Sequence, residues 1–458
     1  MPRLLVIGLD CAPPSLVFDR FAEAMPFVSK LRSEGSFGVL RSTAPPITMP
    51  AWASMATGRD PGELGIYGFR NRDEGYGLRI ATAKDLPYKR VWDHLGEAGF
   101  KVAPLFVPPT YPVPAVRGVS IGCFLTPEDS PKFAFPPRFQ RELEERFGPH
   151  RPDVMNFRAD DPDAVRDELF SSTKERFEIL RYVLETHRPD LTFFVEMGTD
   201  RLHHAFFHNF FEDHPRFDPE GAYREIGREY YAFIDREIET TVMGLGDEKV
   251  DLLIVSDHGA RPMLSGIAVN ELLRERGYLH LKRTPEGPVA FADAEIDWSR
   301  TRAFSEGGYY ARVFLNIKGR EPEGIVHDRD VPPLLDELER LFLALPDENG
   351  APMKTIVHRP EAVYRRTRGR APDLMVYLDN LNRRSLGKLG LGGIHHANDD
   401  RGPDACNHDW DGIYIANGPN LPKGMRERRS ILDIFPTILE LFAVEPPSDL
   451  IGKSFISE

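Results

Sequence analysis

Three short apolar runs, far apart in the sequence, are each followed within four residues by an aspartate. They are residues 4–9 before Asp10, residues 191–196 before Asp200, and residues 251–256 before Asp257. Continuous apolar runs of this length are typical of parallel strands buried on both faces. Open α/β sheets place their functional sites at the carboxyl ends of such strands. The pattern therefore predicts an α/β fold that gathers these carboxylates at one sheet edge.

Histidines accompany these aspartates. His204 lies four residues after Asp200, so both side chains project from one face of a helix that follows the strand. His258 directly follows the third aspartate, and the glycine after it permits the turn that both side chains need to reach one metal. His408 precedes a further predicted strand at 412–416 and supplies another imidazole at this edge. Oxygen and imidazole ligands without thiolate favour zinc, manganese or iron.

Each of these residues also has a common structural explanation. An aspartate after a buried strand is often a helix N-cap, and Asp-His-Gly is often a turn. A single histidine beside a strand is more often a hydrogen-bonded core residue than a ligand. Their joint occurrence at the ends of several strands is what favours a metal site at this sheet edge.

A threonine between two prolines is the candidate nucleophile. Pro46 and Pro50 restrict the backbone on both sides of Thr48. Residues 51–56 then predict a short helix that ends at Gly58. The N-terminus of a helix presents unpaired N–H groups and a positive dipole end, which suit a phosphoryl oxygen. A threonine in this place is more often an N-cap, so its interpretation depends on the metal ligands.

Composition and charge narrow the class of protein. The 458 residues are 41% apolar and 28% charged, as in soluble globular proteins, and 58 Lys and Arg against 71 Asp and Glu give a net charge of −13. This balance argues against a nucleic-acid-binding surface. The apolar runs are too short to span a membrane, and the N-terminus lacks the pattern of a signal peptide. Three cysteines without a pairing pattern predict a cytoplasmic location.

The remaining pattern predicts one domain over residues 1–458 without internal repeats. Its core is expected at about 1–107, 171–261 and 391–458, with insertions at about 108–170 and 262–390 that form a cap or pocket rim. Helices are predicted at Phe18–Glu34, Trp92–Phe100, Lys174–His187, Tyr223–Leu245 and Ser430–Phe442.

These features together resemble the alkaline-phosphatase superfamily. The resemblance rests on the aspartates and histidines above, on the segment from Thr48 to Trp52, and on the ending at 431–440. Within the superfamily the chain is most similar to the type I phosphodiesterase/nucleotide pyrophosphatase group and to the predicted phosphohydrolases and phosphomutases near it. The resemblance implies a three-layer α/β/α sandwich with a mostly parallel central sheet. It also implies two divalent metal ions, one held by Asp10, Thr48, Asp257 and His258, and the other by Asp200, His204 and His408.

The resemblance further implies a hydrolase, most closely a phosphodiesterase, that acts on a small phosphorylated substrate through a phosphothreonine on Thr48. Zinc or manganese is the expected metal, with iron as an alternative. A phosphomutase or phosphotransferase, a phosphonate or phosphomonoester hydrolase, and a metal-binding protein without turnover are the alternatives. Phe69 stands where nucleotide pyrophosphatases carry an asparagine that binds phosphate, so nucleotide specificity is not implied. Thr48 cannot be converted to formylglycine, which excludes a sulfatase.

Several other residues are weaker candidates. Extra ligand or substrate contacts are conceivable for His203, His395 and His396, although such histidines are as often structural or exposed to solvent. Cys406 fits a packing role better than a soft-metal ligand. Arg70, Asn71 and residues 108–111 are candidates for the pocket lining, without a spacing rule in support.

Overall fold

The structure, a computed structural model, describes residues 3–154, 157–158, 161–399, 402 and 404–456. Its strands are, in chain order, Leu4–Leu9 (β1), Ser36–Arg41 (β2), Arg70–Arg72 (β3), Leu78–Ile80 (β4), Val102–Leu105 (β5), Ser120–Ile121 (β6), Ala134–Phe135 (β7), Leu191–Glu196 (β8), Asp251–Val255 (β9), Gly259–Pro262 (β10), Ser265–Ala268 (β11), Ala303–Glu306 (β12), Ala311–Leu315 (β13), Ile356–His358 (β14), Leu374–Tyr377 (β15), Arg383–Leu386 (β16), His395–His396 (β17), Cys406–Asp409 (β18), Asp411–Asn417 (β19) and Arg429–Ser430 (β20). The α-helices are Pro26–Glu34 (α1), Thr48–Thr57 (α2), Pro61–Leu64 (α3), Val91–Glu97 (α4), Pro137–Phe147 (α5), Pro162–Thr186 (α6), Gly198–Phe210 (α7), Ile226–Met243 (α8), Val269–Glu275 (α9), Val331–Leu343 (α10), Pro360–Val363 (α11) and Ile434–Leu441 (α12).

Nine strands form the central sheet, in the order β20-β2-β19-β9-β1-β8-β5-β6-β7. The five strands from β9 to β6 are parallel to one another, whereas β19 runs antiparallel to both of its neighbours and β7 antiparallel to β6. The predicted α/β fold with a mostly parallel central sheet is therefore confirmed.

The side chains of β1 show why helices cover both faces of this sheet. Leu5, Ile7 and Leu9 pack into one hydrophobic cluster with residues of α1, α6, α7 and α8. Leu4 and Val6 point the other way and pack with residues of α2, α4 and α12. Since successive side chains of a strand alternate between faces, a strand that is apolar throughout requires helices on both sides. The result is a layer of helices on each side of the sheet.

One predicted helix is wrong. The segment Phe18–Glu34 is divided into a π-helical turn at Ser15–Arg20, a 3-10 turn at Ala22–Ala24 and the helix α1. Pro26 begins α1 and has no N–H to donate to the preceding turn, and Met25 before it adopts φ −119° and ψ 63°. A proline suits the first turn of a helix but not its interior, which explains the break.

The two predicted insertions contain structure of their own. Within residues 108–170 lies α5, which the sequence did not predict, and α6 begins at Pro162, well before the predicted start of that helix. Within residues 262–390, four antiparallel strands in the order β12-β13-β15-β14 share a separate hydrophobic cluster with α9 and α10. Their proposed role as a cap stays a prediction. In the part of the chain that the structure describes, no helix has both the length and the apolar character needed to cross a bilayer.

Candidate metal centre and active site

The ends of three neighbouring parallel strands bring the predicted carboxylates together. β1 lies between β8 and β9 and pairs in register with both, so the carboxyl ends of the three strands lie side by side. Asp10 follows β1, Asp257 lies two residues after β9, and Asp200 lies in the first turn of α7, which begins two residues after β8. All three side chains are buried. The predicted juxtaposition follows from the register of the strands.

Two other segments complete the centre. Thr48 is the first residue of the buried helix α2, as the flanking prolines predicted. His408 lies on β18, which pairs antiparallel with β10 directly after the third strand end. Gly259 at the start of β10 has a different role from the predicted one. A Cβ there would lie 2.3 Å from the carbonyl oxygen of Asp411, so the glycine allows two strands to approach each other closely.

The candidate ligand atoms form two overlapping groups, in each of which all atoms lie within 4.8 Å of one another. One group, here called group A, consists of Asp10, Asp257 and His258. The other, group B, consists of Asp200, His258 and His408. In group A, His258 Nε2 lies 3.6 Å from Asp10 Oδ1 and 3.2 Å from Asp257 Oδ2. In group B, His408 Nε2 lies 3.6 Å from Asp200 Oδ1.

The Thr48 hydroxyl faces a neutral imidazole. His258 Nδ1 lies 3.0 Å from the carbonyl oxygen of Gly259, and since a carbonyl only accepts, Nδ1 carries the proton. Burial lowers the pKa of His258 to about 4, so Nε2 presents a lone pair at neutral pH. The Thr48 hydroxyl donates to this lone pair over 3.2 Å. His408 Nδ1 likewise donates to the carbonyl oxygen of Pro46 at 3.1 Å and directs Nε2 into the centre.

Each carboxylate uses one oxygen to hold its position. Asp10 Oδ2 accepts from Trp52 Nε1 at 2.6 Å, and Asp257 Oδ1 accepts from the backbone N–H that follows Asp10 at 3.2 Å. Asp200 Oδ2 accepts from Arg201 Nη1 at 2.5 Å. The other oxygen of each, and Nε2 of the histidine on β18, are buried without a hydrogen-bond partner among the described residues. Lone pairs from several side chains therefore face one another across the centre.

The electrostatics of the centre favour a bound cation. Burial and repulsion by Asp200 raise the pKa of Asp10 well above its ordinary value, and burial and repulsion by Asp10 do the same for Asp257. Burial also acts against the charged form of Asp200, but the positive charges of His204 and Arg201 outweigh it and hold its pKa well below the ordinary value. A buried carboxyl group becomes charged only beside a counter-charge or a metal, so a cation here would stabilise the ionised forms of Asp10 and Asp257. Converging carboxylate oxygens and imidazole nitrogens fit a divalent transition metal.

The family model for type I phosphodiesterase/nucleotide pyrophosphatase matches residues 4–404 of the sequence. The chain belongs to this family. Its members hydrolyse phosphate esters and typically depend on a binuclear metal site. Membership confirms the predicted relationship to the alkaline-phosphatase superfamily and the prediction of an enzyme that acts on phosphate-ester bonds.

Solved structures share the fold of this phosphodiesterase-family chain over nearly its whole length. Phosphonoacetate hydrolase from Sinorhizobium meliloti, solved with phosphonoformate, is 17% identical with a TM-score of 0.62 over 96% of this chain and 95% of that one. Human ectonucleotide pyrophosphatase/phosphodiesterase 5 is 14% identical with a TM-score of 0.56 over 99% and 97%. The murine protein, as an inactive threonine-to-alanine variant with AMP, is 13% identical with a TM-score of 0.55 over 98% and 96%. No curated protein sequence matches the chain.

His204, predicted as a metal ligand in this family member, is engaged by several neighbours. Its Nδ1 lies 2.7 Å from Asp404 Oδ1, and its Nε2 lies 3.3 Å from Asp200 Oδ1 and 3.2 Å from the Tyr309 hydroxyl. Burial alone would lower its pKa, but the negative charge of Asp404 and the other neighbours raises it well above the ordinary value. His204 therefore borders group B, and its role as a ligand stays a prediction.

Several residues of the centre were not predicted from the sequence, because no motif or spacing indicates them. Asp404 lies four residues before His408, yet it holds His204 and also accepts from Arg158 at 2.7 Å and from Arg384 at 2.5 Å. Tyr309 follows two glycines in an irregular region, and its ring stacks on His408 with centroids 3.8 Å apart. Trp52 lies in the segment Thr48–Trp52, whose sequence does not indicate the hydrogen bond from its indole to Asp10.

The weaker candidates lie outside both groups of ligand atoms. His203 Nε2 forms a hydrogen bond of 3.1 Å with the Tyr231 hydroxyl, so it is a structural core histidine. His395 and His396 form β17, which pairs with β11. Cys406 is buried, and its thiol donates to the carbonyl oxygen of the next residue at 3.0 Å, in agreement with a packing role.

A cavity of about 270 Å³ adjoins the centre. Ile47, which directly precedes the candidate nucleophile, lines it, and so does Tyr309, which stacks on the histidine of β18. Arg70 lines it as predicted, whereas Asn71 and residues 108–111 are outside its described lining. The Asn71 side chain instead accepts from the backbone N–H of residue 67 at 3.0 Å. Both predicted insertions contribute residues to the cavity wall.

Proposed function

We propose that this chain is a phosphodiesterase that cleaves small phosphorylated substrates through a phosphothreonine intermediate on Thr48. The observation that carries the proposal is the Thr48 hydroxyl, which donates to His258 Nε2 over 3.2 Å beside the unpaired oxygens of Asp10 and Asp257. The inactive threonine-to-alanine variant of the murine structural relative supports a threonine nucleophile.

The converging donor atoms support two divalent cations. The first would be held by Asp10, Thr48, Asp257 and His258, and the second by Asp200, His204 and His408. The mixture of carboxylate and imidazole favours zinc or manganese, with iron as the alternative. When bound, such cations supply Lewis-acid stabilisation of negative charge on substrate oxygens and on the threonine oxygen.

The protein itself orients the Thr48 hydroxyl for its attack on phosphorus. As the first residue of α2, Thr48 holds its hydroxyl beside His258 Nε2, and the positive end of the α2 dipole stabilises negative charge on its oxygen. Thr48 Oγ1 forms a bond to phosphorus while the bond from phosphorus to the leaving oxygen breaks, and the threonine proton passes to water. A water oxygen then forms a bond to phosphorus, and Thr48 Oγ1 leaves and regains a proton.

Turnover of bis-p-nitrophenyl phosphate with added manganese or zinc tests this proposal. We expect Thr48→Ala to lower kcat by about 10⁴-fold or more, since it removes the nucleophile. Thr48→Ser, which keeps a hydroxyl, should retain measurable turnover and form a trapped phosphoserine. Thr57→Ala is the matched control, because that threonine is buried in the same helix and donates only to the carbonyl oxygen of Ala53. Undiminished turnover in the metal-replete Thr48→Ala variant would refute the proposal.

Two alternatives use the same residues. The first is phosphonate hydrolysis, which is supported by the fold that this chain shares with phosphonoacetate hydrolase. A phosphonate substrate in the same assay distinguishes it from phosphodiester hydrolysis. A phosphomutase or phosphotransferase would use another hydroxyl in place of water in the second step. Labelled oxygen from solvent water appears in the phosphate product of a hydrolase but not in the product of direct transfer.

A further inference from the structure

The cavity beside Thr48 is strongly basic although the chain has a net charge of −13. Its lining contains one carboxylate, Glu306, and five arginines, which are Arg70, Arg158, Arg201, Arg312 and Arg384. A concave surface with one dominant charge concentrates ions of the opposite charge. A guanidinium group in this lining can bind a ligand only if no carboxylate of the protein already holds it.

Three of the arginines are held by carboxylates of the protein. Arg158 and Arg384 both bind Asp404, at 2.7 Å and 2.5 Å, and Arg201 binds Asp153 at 2.9 Å. These carboxylates compensate the charge of the arginines and fix their side chains around group B. Their role in the cavity is therefore explained by the metal centre, and the remaining two arginines require a different explanation.

Arg70 and Arg312 lie together on another part of the wall. The Arg312 guanidinium donates to the carbonyl oxygen of Arg70 and lies close to Gly68, where a Cβ would be 3.7 Å from Arg312 Nη1. The Arg70 side chain is exposed and forms no ion pair with any residue that the structure describes. Glu306, opposite Arg312 in the β12–β13 register, supplies one negative charge against these two positive charges. A net positive charge remains at this place.

We propose that Arg70 and Arg312 bind a second anionic group of the substrate, either a carboxylate or a phosphoryl group. The proposal rests on the proposed function and specifies its substrate class, a phosphate ester or phosphonate that carries a further anionic group. Guanidinium groups suit this role because their planar N–H donors match both kinds of anion in a bidentate manner. The same cavity is also lined by apolar side chains, among them Phe69, Leu78 and Ile80, which suit an uncharged spacer.

Equilibrium binding tests the subsite separately from turnover. Titration calorimetry on the manganese-loaded protein compares alkyl phosphonates with carboxyalkyl phosphonates and bisphosphonates of equal chain length. We expect the ligands with a second anion to bind about tenfold tighter or more, and this advantage to fall at high salt. The carboxylate and phosphonate arms identify which anion the subsite prefers.

The variants assign the effect to Arg70. Arg70→Gln should abolish the advantage of the second anion, and Arg70→Lys should restore part of it. Arg79→Gln is the matched control, because Arg79 lies on the same β3–β4 hairpin and pairs with Asp85 at 2.6 Å outside the cavity lining. Arg312→Gln is the second variant and should also reduce the advantage.

The outcomes separate this proposal from the proposed function. Hydrolysis of bis-p-nitrophenyl phosphate without any preference for a second anion would overturn the subsite alone. A preference that survives in both Arg70→Gln and Arg312→Gln would overturn it as well. Absence of hydrolysis, together with a preference that depends on Arg70, would overturn the proposed function and leave the subsite supported.

Discussion

The two groups of ligand atoms differ in what holds their carboxylates. In group A, Asp10 and Asp257 accept from neutral donors, an indole N–H and a backbone amide. In group B, Asp200 accepts from the charged guanidinium of Arg201 and lies beside His204, which is itself tied to a carboxylate. The negative charge of group B is therefore compensated by the protein, whereas that of group A is not. This difference indicates that group A depends more on a bound cation for its stability.

The largest expected effect comes from neutralising one carboxylate in each group. Asp257→Asn and Asp200→Asn should each lower turnover by about 10³-fold, comparable with the loss of a group that stabilises charge in the transition state. Their effects on the metal-free protein should be opposite. Asp257→Asn removes a carboxyl whose charged form the buried site disfavours and should stabilise the metal-free protein, while Asp200→Asn leaves Arg201 with one partner fewer and should destabilise it by roughly 3 kcal/mol.

Urea unfolding of the EDTA-treated variants measures these changes in the free energy of unfolding. Asp247→Asn is the control, because Asp247 is exposed and precedes β9, whereas Asp257 follows the other end of that strand. If both active-site variants shifted stability in the same direction, the contrast between the groups would be wrong.

A smaller effect is expected from Asp404, which orients His204 through a bond of 2.7 Å. Asp404→Asn should weaken binding of the second proposed cation by about 10- to 100-fold, because the proposed function makes His204 one of its ligands and Asp404 holds that imidazole. Group A should keep its affinity. Metal content after dialysis, measured by elemental analysis, should fall from two ions toward one per chain. Loss of both ions together would show that the groups are a single cooperative unit.

The pH dependence of stability should follow the same contrast. The raised pKa values of Asp10 and Asp257 mean that the folded, metal-free protein holds protons that the unfolded chain releases above its value of 3.8. Their contribution to stability is complete below that pH and is lost as the pH rises through the folded pKa values. Asp200, with a lowered pKa, contributes in the opposite sense, since its stabilisation is present above 3.8 and is lost in acid.

The measured quantity is the difference in the free energy of unfolding between metal-free Asp257→Asn and the metal-free wild type. The stabilisation of metal-free Asp257→Asn over the wild type should grow as the pH rises above 3.8 and become constant once the pH exceeds the raised pKa of the folded protein. While Asp257 is protonated in the folded protein but ionised in the unfolded chain, this stabilisation should increase by roughly 1.4 kcal/mol per pH unit. Added manganese should remove the difference or reverse its sign. A constant difference across this range would contradict the raised pKa of this carboxyl.

How far the sequence predicts the centre depends on the range of the interactions involved. Asp10, Asp200 and Asp257 were predictable because each follows a local apolar run, and the parallel register of the strands then places them together. His204 was predictable from its spacing to Asp200 on α7. These features need only local pattern and one general rule about parallel sheets.

The residues around the centre could not be predicted in this way. Asp404, Tyr309 and Arg384 reach it from segments that pack against distant parts of the chain, and no periodic pattern indicates which side chains of such segments meet. The helix predicted at 18–34 fails for a different reason, because Pro26 is unsuited to a helix interior and instead begins α1. The arginine-rich wall of the cavity likewise depends on contacts between the insertions and the central sheet.

The smallest expected effect tests whether the neutral donors of group A contribute. Trp52→Phe removes the 2.6 Å bond to Asp10 Oδ2 and should reduce turnover by about 3- to 10-fold and stability by about 1–2 kcal/mol. Trp92→Phe is a close control, because both indoles are buried and pack edge-on against Phe193, yet Trp92 Nε1 has no hydrogen-bond partner among the described residues.

The ring of Trp52 also occupies the space left by Gly8, where a Cβ would lie 2.3 Å from the indole. A phenylalanine keeps the ring in that place but supplies no N–H, so the two variants differ mainly in the bond to Asp10. Equal turnover in Trp52→Phe and Trp92→Phe would mean that packing alone positions Asp10. A loss confined to Trp52→Phe would show that a neutral donor, without a compensating charge, is what holds the carboxylate ready for a cation.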